Sequence, residues 1–492
     1  MAPGAVVQEA VVLPSSTTEK NGVDAAAAAV SANHRSAREA LDAAVARYTA
    51  ANPVSLQLHT RATASMPGGN TRTQLHTAPF PLCMRAGRGY QVTSEDGRTY
   101  TDLVGELTAA VFGHSHPVIV AALLTTVTTV GLNLGATLAQ EHVHAAALCA
   151  RFHLDRVRFT NCGTEANLHA LAAARAFASG GRGDKDIRKV VVFGGGYHGG
   201  VLLFGGGAPA ANNVDRADFV VARYNDAASA RAAIRTPGVA AVLVEGMQGG
   251  PGAVPGTRAF LKAIEEEAKA CNVVFILDEV MTSRVAPGGL AELHGLQPDL
   301  KTFGKYLGGG LAFGAFGGRA DIMAVFDPRP RPTTDNGAGH GPPTTLTHHG
   351  TFNNNSLAMY VGHAGLTEVF TPDACTALNA AGAQLLQELA AVTRGTQLCF
   401  TGVGSVLGSH FTAQGLQTLE RETAEDWTLK ELFWFELLED GFWTTRRGSL
   451  ALVLGTPAAE LRRFVACVAA FLERHASLVA VEASTSGGGS GG

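Results

Sequence analysis

An aspartate and a lysine dominate residues 273–318. The apolar run VVFIL over 273–277 closes on the acid pair Asp278-Glu279. A short run rich in β-branched residues that ends on a polar one predicts a buried parallel strand. Ligands of open α/β sheets gather at the carboxyl ends of strands, so Asp278 stands where chemistry can occur. Lys305 follows within TFGKY, just before Gly308, Gly309 and Gly310, with no acid close by in sequence. Such surroundings desolvate the amine and lower its pKa, which suits a Schiff-base nucleophile. This pairing is the one pyridoxal phosphate requires, with the carboxylate on the pyridinium nitrogen and the amine on the aldehyde.

A sheet must carry these two residues. Strand-like runs recur as VRFTN (157–161), KVVVFGG (189–195), DFVVARYN (218–225), AAVLVEG (240–246) and NVVFILDE (272–279). Helical windows separate them, EANLHALAAARAFA at 165–178 and GTRAFLKAIEEEAKA at 256–270. This alternation predicts a largely parallel sheet with helices on both faces. Upstream, residues 38–51 have helical period, and residues 89–102 alternate around Asp96-Gly97 as a β-hairpin does. Residues 328–347 are a Pro/Gly/Thr-rich loop. Beyond Leu357 the chain turns mainly helical, with short strands near GSVLGSHFT and LALVLG and a last helix over 458–476, a second α/β unit.

Composition narrows the class. The chain has 492 residues, 46% hydrophobic and 16% charged, enough for two or three packed substructures around a large core. A net charge of −4 gives no reason to expect a nucleic-acid or anionic-membrane partner. Its seven cysteines (83, 149, 162, 271, 375, 399 and 467) form no CxxC pair, the pattern of reduced intracellular thiols. No apolar run approaches the ~18 residues that cross a bilayer. Residues 1–34 are Ala/Ser/Thr-rich without the arginines of a transit peptide and read as disordered, so the cytoplasm is the expected compartment. The glycine-serine end at 484–492 reads as a flexible tail.

LDEVMTSR followed by TFGKYLGGG resembles the cofactor core of the class III (fold-type I) aminotransferases. Within them the chain is most similar to the β-phenylalanine aminotransferases and the glutamate-1-semialdehyde aminomutases, over roughly residues 42–475. The resemblance implies a large domain (104–356) with a mainly parallel seven-stranded sheet sandwiched by helices. It also implies a smaller α/β domain built from both chain ends (35–103 and 357–480), with a tail at 481–492.

Further residues gain roles by this resemblance. Asn161-Cys162-Gly163-Thr164 lies between a strand and an alanine-rich helix, and serves equally as a phosphate seat or as a plain helix start capped by Thr164. The resemblance assigns the cofactor phosphate to Gly163 and Thr164, with Cys162 where relatives carry serine. In GGGYHGG, Tyr197 is either a packed ring in a glycine turn or, as in the family, a cover for the pyridine face; His198 is a supporting hydrogen-bonding group. Glu245, in EGMQGG, follows a strand and shapes the site. Thr351, in GTFNNN, opens a helix or, as in relatives, reaches the phosphate of a neighbouring subunit, which implies a homodimer with shared active sites. A single arginine is ordinarily a surface ion-pair partner, but a guanidinium also grips a carboxylate through two parallel hydrogen bonds. Arg72, in GGNTR, matches the receptor of the donor's β-carboxylate. Arg447, in TTRRG, matches the receptor of the acceptor's α-carboxylate, although Arg446 beside it leaves the choice between the two open. Glu106 and Leu107 fall on the pocket wall, with leucine where close relatives have an aromatic ring. His114 and His116 in GHSHP read as a turn before a helix rather than as a metal pair.

The resemblance thus implies a transaminase that moves an amino group from a β-amino acid to 2-oxoglutarate or pyruvate. An aminomutase acting within glutamate-1-semialdehyde or a broad amine transaminase is the alternative. A dinucleotide-binding oxidoreductase is disfavoured, because no glycine cluster has GxGxxG spacing with a ribose-binding acid beyond it.

Overall fold

The computed structural model describes residues 36–182, 187–205, 207–210, 214–329, 346–415 and 424–481. The expected disorder at 1–34, the tail at 484–492 and most of the 328–347 loop lie outside these residues.

A seven-stranded sheet organises the molecule. Its order is Arg156–Thr160, Gly314–Gly318, Leu300–Gly304, Val274–Asp278, Val239–Glu245, Lys189–Phe193, Phe219–Ala222. Every strand is parallel to its neighbours except Gly314–Gly318, which is antiparallel to both of its own. The central strands are buried along their whole length, which is why their sequences are continuous apolar runs instead of alternating ones. Their side chains still divide by face. Val190, Val192, Ala241, Leu243, Val274 and Ile276 pack with the helix Gly163–Arg182. The intervening residues, among them Val191, Val242, Phe275 and Leu277, pack with the helix Arg258–Cys271.

Two strands fall outside the alternation read from the sequence, Leu300–Gly304 and Gly314–Gly318. The first carries a lysine at its second position, yet Lys301 is buried and donates from Nζ to the Phe152 carbonyl (2.7 Å). The second is glycine-rich for a steric reason. A Cβ on Gly317 would lie 2.3 Å from the Arg156 carbonyl oxygen, and one on Gly318 would lie 2.1 Å from that of Asp299.

The remaining strands tie the chain's distant parts together. Met84–Arg88, Gln91–Ser94 and Thr99–Asp102 form an antiparallel meander, the last two being the expected hairpin. Its edge strand Thr99–Asp102 pairs in parallel with Phe442–Trp443, so both ends of the chain share one sheet. A second small sheet joins Leu398–Val403, Val406–Phe411 and Ser449–Ala451. It is backed by the helices Pro372–Val392, Trp427–Glu439 and Ala458–Arg474.

Candidate active site

Glu245 and Asp278 end adjacent strands and face one another in register, with Thr302 on the far side of Asp278. Lys305 follows Leu300–Gly304 directly. The carboxyl edge of the sheet therefore brings Glu245, Asp278 and Lys305 to one cavity of about 600 Å³.

Asp278 is buried. Its Oδ2 accepts from Asn167 Nδ2 (2.9 Å) and His198 Nδ1 (2.7 Å), and its Oδ1 accepts from the Val280 N–H (3.0 Å). Burial alone would lower the His198 imidazole, but its hydrogen bond and charge attraction to Asp278, aided by Glu245, leave it above the ordinary value. Asn167 is fixed in turn by Thr302, whose hydroxyl donates to its Oδ1 (2.7 Å). The neighbouring acid Glu279 points the other way, as strand alternation requires. It is fully buried and accepts from the backbone N–H groups of Leu290 (3.1 Å) and Ala291 (2.8 Å).

The Lys305 amine opens into the cavity and donates to the Leu107 carbonyl (2.6 Å). Burial is the largest influence on it and brings its pKa down to about 8; Arg284 assists, while Asp278, Glu106 and Glu245 oppose. Leu107 lines the cavity, but it is its carbonyl that meets the lysine. The turn presenting that carbonyl is unusual. Gly105, Glu106, Leu107 and Thr108 all have positive φ, at 51°, 47°, 54° and 79°. Left-handed backbone costs a non-glycine residue roughly 1–2 kcal/mol, so other contacts must hold this turn in place.

The helix Gly163–Arg182 points its N-terminus into the same cavity, with Cys162, Gly163 and Thr164 among the lining residues. It begins two residues earlier than a Thr164 cap would give, so Thr164 belongs to its first turn. Glu165 reaches back to accept from the Asn161 N–H (2.8 Å). Tyr197 lines the opposite side and donates its backbone N–H to Glu245 Oε2 (2.8 Å), while Gly249 donates to Oε1 (3.0 Å). Burial raises the Glu245 carboxyl to about 7.

Two arginines reach the cavity. Arg72 is paired with Glu106, both side chains about half exposed. Arg447 is half-buried and faces Tyr197, with no ion pair among the described residues; burial lowers its pKa. Arg446 is turned away onto Glu431 and does not line the cavity. Thr351 is exposed and is not part of its own chain's cavity. His114 is held by Asp102 (2.8 Å), and among the described residues no group of three or more His, Cys, Asp or Glu is placed to hold a metal.

Sequence reasoning gave no role to Asn167 or Arg284. Asn167 stood within the helical window 165–178, and its signal is its place in the second turn of a helix that starts at the strand ends.

The cavity fits pyridoxal phosphate. It offers an amine of lowered pKa, a carboxylate held by three donors and a helix N-terminus for an anion. Gly199 allows close backbone approach, since a Cβ there would sit 2.1 Å from Thr164 Oγ1. The buried Thr108 hydroxyl on the wall has no hydrogen-bond partner among the described residues.

Comparison with known proteins agrees. The family model "Aminotransferase class-III" matches residues 73–418. The chain is 44% identical to the β-phenylalanine transaminase of Variovorax paradoxus over 91% of this chain and 99% of that one. The crystal structure of the β-phenylalanine aminotransferase from that organism superposes with a TM-score of 0.83 at 43% identity, covering 90% of this chain and 99% of the other. An uncharacterised aminotransferase of Schizosaccharomyces pombe is 44% identical over 89% and 96% of the two chains. A glutamate-1-semialdehyde 2,1-aminomutase of Brevibacillus brevis is 32% identical over 79% and 90%. The chain thus belongs to the class-III aminotransferases, as a pyridoxal phosphate-dependent enzyme of fold type I.

Proposed function

We propose that this aminotransferase takes the amino group from a β-amino acid, β-phenylalanine or a similar aromatic 3-amino acid, and delivers it to 2-oxoglutarate or pyruvate in a ping-pong cycle. The observation that carries this reading is the presence of two arginines, Arg72 and Arg447, on the one cavity that also holds Lys305 and Asp278. An enzyme that must accept a donor acid and an acceptor acid in turn has use for both.

Pyridoxal phosphate, when bound, supplies a ring that stores the electron pair left on the substrate carbon and keeps the amine between the two half-reactions. Asp278 would receive the ring nitrogen, its carboxylate oxygens fixed by Asn167, His198 and the Val280 N–H. Gly163, Thr164 and Cys162 would receive the phosphate at the helix start, and Tyr197 would cover one face of the ring, its backbone fixed by Glu245. Lys305 would hold the cofactor through its amine and would supply the base that moves the substrate's proton. Its lowered pKa supports that task, because the neutral amine is already well populated near pH 8. Arg72 would bind the donor carboxylate after Glu106 yields, Leu107 would shape the side-chain pocket, and Arg447 would bind the acceptor's α-carboxylate.

A cytoplasmic homodimer completes the reading. Phe352 and the segment with Leu132 and Leu134 are exposed apolar neighbours, linked by the hydrogen bond from Asn354 Nδ2 to the Ala136 carbonyl (3.1 Å). A second copy on this face would bury them and bring its Thr351 toward the phosphate seat. Phe352→Glu is expected to give a monomer with little activity, read by light scattering and turnover together.

The decisive measurement adds β-phenylalanine to the yellow, loaded enzyme with no oxo acid present. The visible band is expected to be lost and one equivalent of β-keto acid released per site, with Lys305→Ala giving neither. Consumption of glutamate-1-semialdehyde without an acceptor, while β-amino acids leave the band untouched, would overturn the assignment.

A further inference from the structure

Arg284 closes the LDEVMTSR motif and is fully buried, yet it has no carboxylate partner among the described residues. Each of its three nitrogens donates elsewhere. Nε donates to Ser405 Oγ (3.3 Å), Nη1 to the Thr108 carbonyl (3.2 Å) and Nη2 to the Leu452 carbonyl. Its own carbonyl accepts from Asn379 Nδ2 (2.8 Å). One guanidinium therefore joins the central sheet's turn Thr282–Arg284, the left-handed turn at the cavity and two segments from the C-terminal part of the chain.

Its place on the left-handed turn is specific. The start of that turn is held by Asp102, whose Oδ1 accepts from the N–H groups of Val104 (2.8 Å) and Gly105 (3.0 Å). The end is held by Arg284 at Thr108, one peptide from the Leu107 carbonyl that receives the Lys305 amine. Neutral donors could hold carbonyls as well, and burying a cation without a counter-ion is costly.

We propose that Arg284 is a positioning residue for Lys305: by anchoring the Thr108 carbonyl it fixes the adjoining Leu107 carbonyl, the acceptor that aims the lysine amine into the cavity. The inference rests on the reading of Lys305 as the amine that attaches the cofactor. The positive charge has a second consequence. Lys305 is faced by Asp278, Glu106 and Glu245, which favour its protonated form, and Arg284 works against them. Tyr306 and Cys375 are the titratable groups that act most on Arg284 itself. Removing the guanidinium is expected to raise the lysine pKa, so that less neutral amine is present at neutral pH.

The test follows capture of pyridoxal phosphate by cofactor-free protein as a function of pH, for the parent, Arg284→Gln and Arg284→Lys. For the parent the rate is expected to climb with pH and level off near 8. For Arg284→Gln the levelling point is expected to move up by about one pH unit, with capture roughly tenfold slower at pH 7. Arg284→Lys keeps the charge but not the fork, so its midpoint is expected to return toward the parent's while its plateau stays about threefold lower. Affinity for pyridoxamine phosphate, which the lysine does not attack, is expected to stay within about twofold in both variants.

Parent-like capture by Arg284→Gln overturns the inference. Equal weakening toward both forms of the cofactor also overturns it, because that is the mark of a merely structural residue. If Arg284→Gln does not fold, Arg284→Lys decides: a parent-like plateau and midpoint there would sink the idea. Failure of the parent itself to capture the cofactor strikes instead at the reading of Lys305.

Discussion

The enclosed base of the cavity and its open side are built on opposite plans. At the base, Asp278 spends both oxygens on three donors, and the donors Asn167 and His198 are themselves buried and held. At the open side, Arg447 has no ion pair among the described residues and Arg72 leans on Glu106, an exposed partner that can move away. A group that stays through every cycle benefits from fixed contacts, whereas acids that arrive and leave in turn need contacts that can be released. Preorganisation belongs to the first and spare hydrogen-bonding capacity to the second.

Substitutions can break this contrast at either end. The largest effect is expected at the base. Asp278→Asn keeps the shape but removes the charge, and should lower the donor half-reaction by about 10²–10³-fold, read in single-turnover experiments. Arg447→Leu should act on one half of the cycle only. Acceptor kcat/KM is expected to fall about 100-fold while the single-turnover rate with the β-amino acid is retained, and equal losses in both halves would count against separate roles for the arginines. Glu106→Gln is the mildest change. Exposed ion pairs contribute about 0.2–1 kcal/mol, so freeing Arg72 should lower donor KM by at most about fivefold. A rise in donor KM would mean that Glu106 helps hold the substrate rather than competing with it.

The same contrast separates what could be read in the sequence from what could not. Asp278 and Lys305 were legible because local pattern marks them, an acid at the end of an apolar run and a lysine before glycines. The five β-rich runs all correspond to strands of the sheet. Leu300–Gly304 and Gly314–Gly318 were not legible, because a lysine within a strand and three glycines imitate a loop until close neighbours are known. Asn167 looked like any polar residue on a helix, and Arg284 like a surface charge. Their partners lie far away in sequence: Asp278 for the first, and Thr108, Ser405 and Leu452 for the second. The pair Arg446-Arg447 was ambiguous for the same reason. Only the position of Glu431 on the helix Trp427–Glu439 turns one of them away from the cavity.

The parallel pairing of Thr99–Asp102 with Phe442–Trp443 bears on how the protein is made. The first strand leaves the ribosome long before its partner, which lies far downstream in the sequence. At roughly 5–20 residues per second that is a wait of tens of seconds. During it the meander has an open edge, and Asp102, which holds the start of the left-handed turn, sits on that edge. The nascent chain can complete its central sheet well before the turn beside Lys305 gains its last supports. Competence to take up the cofactor therefore arrives well after Asp278 and Lys305 have been made, and a chain cut between them and Phe442 would carry the lysine and the aspartate without the setting that makes them useful.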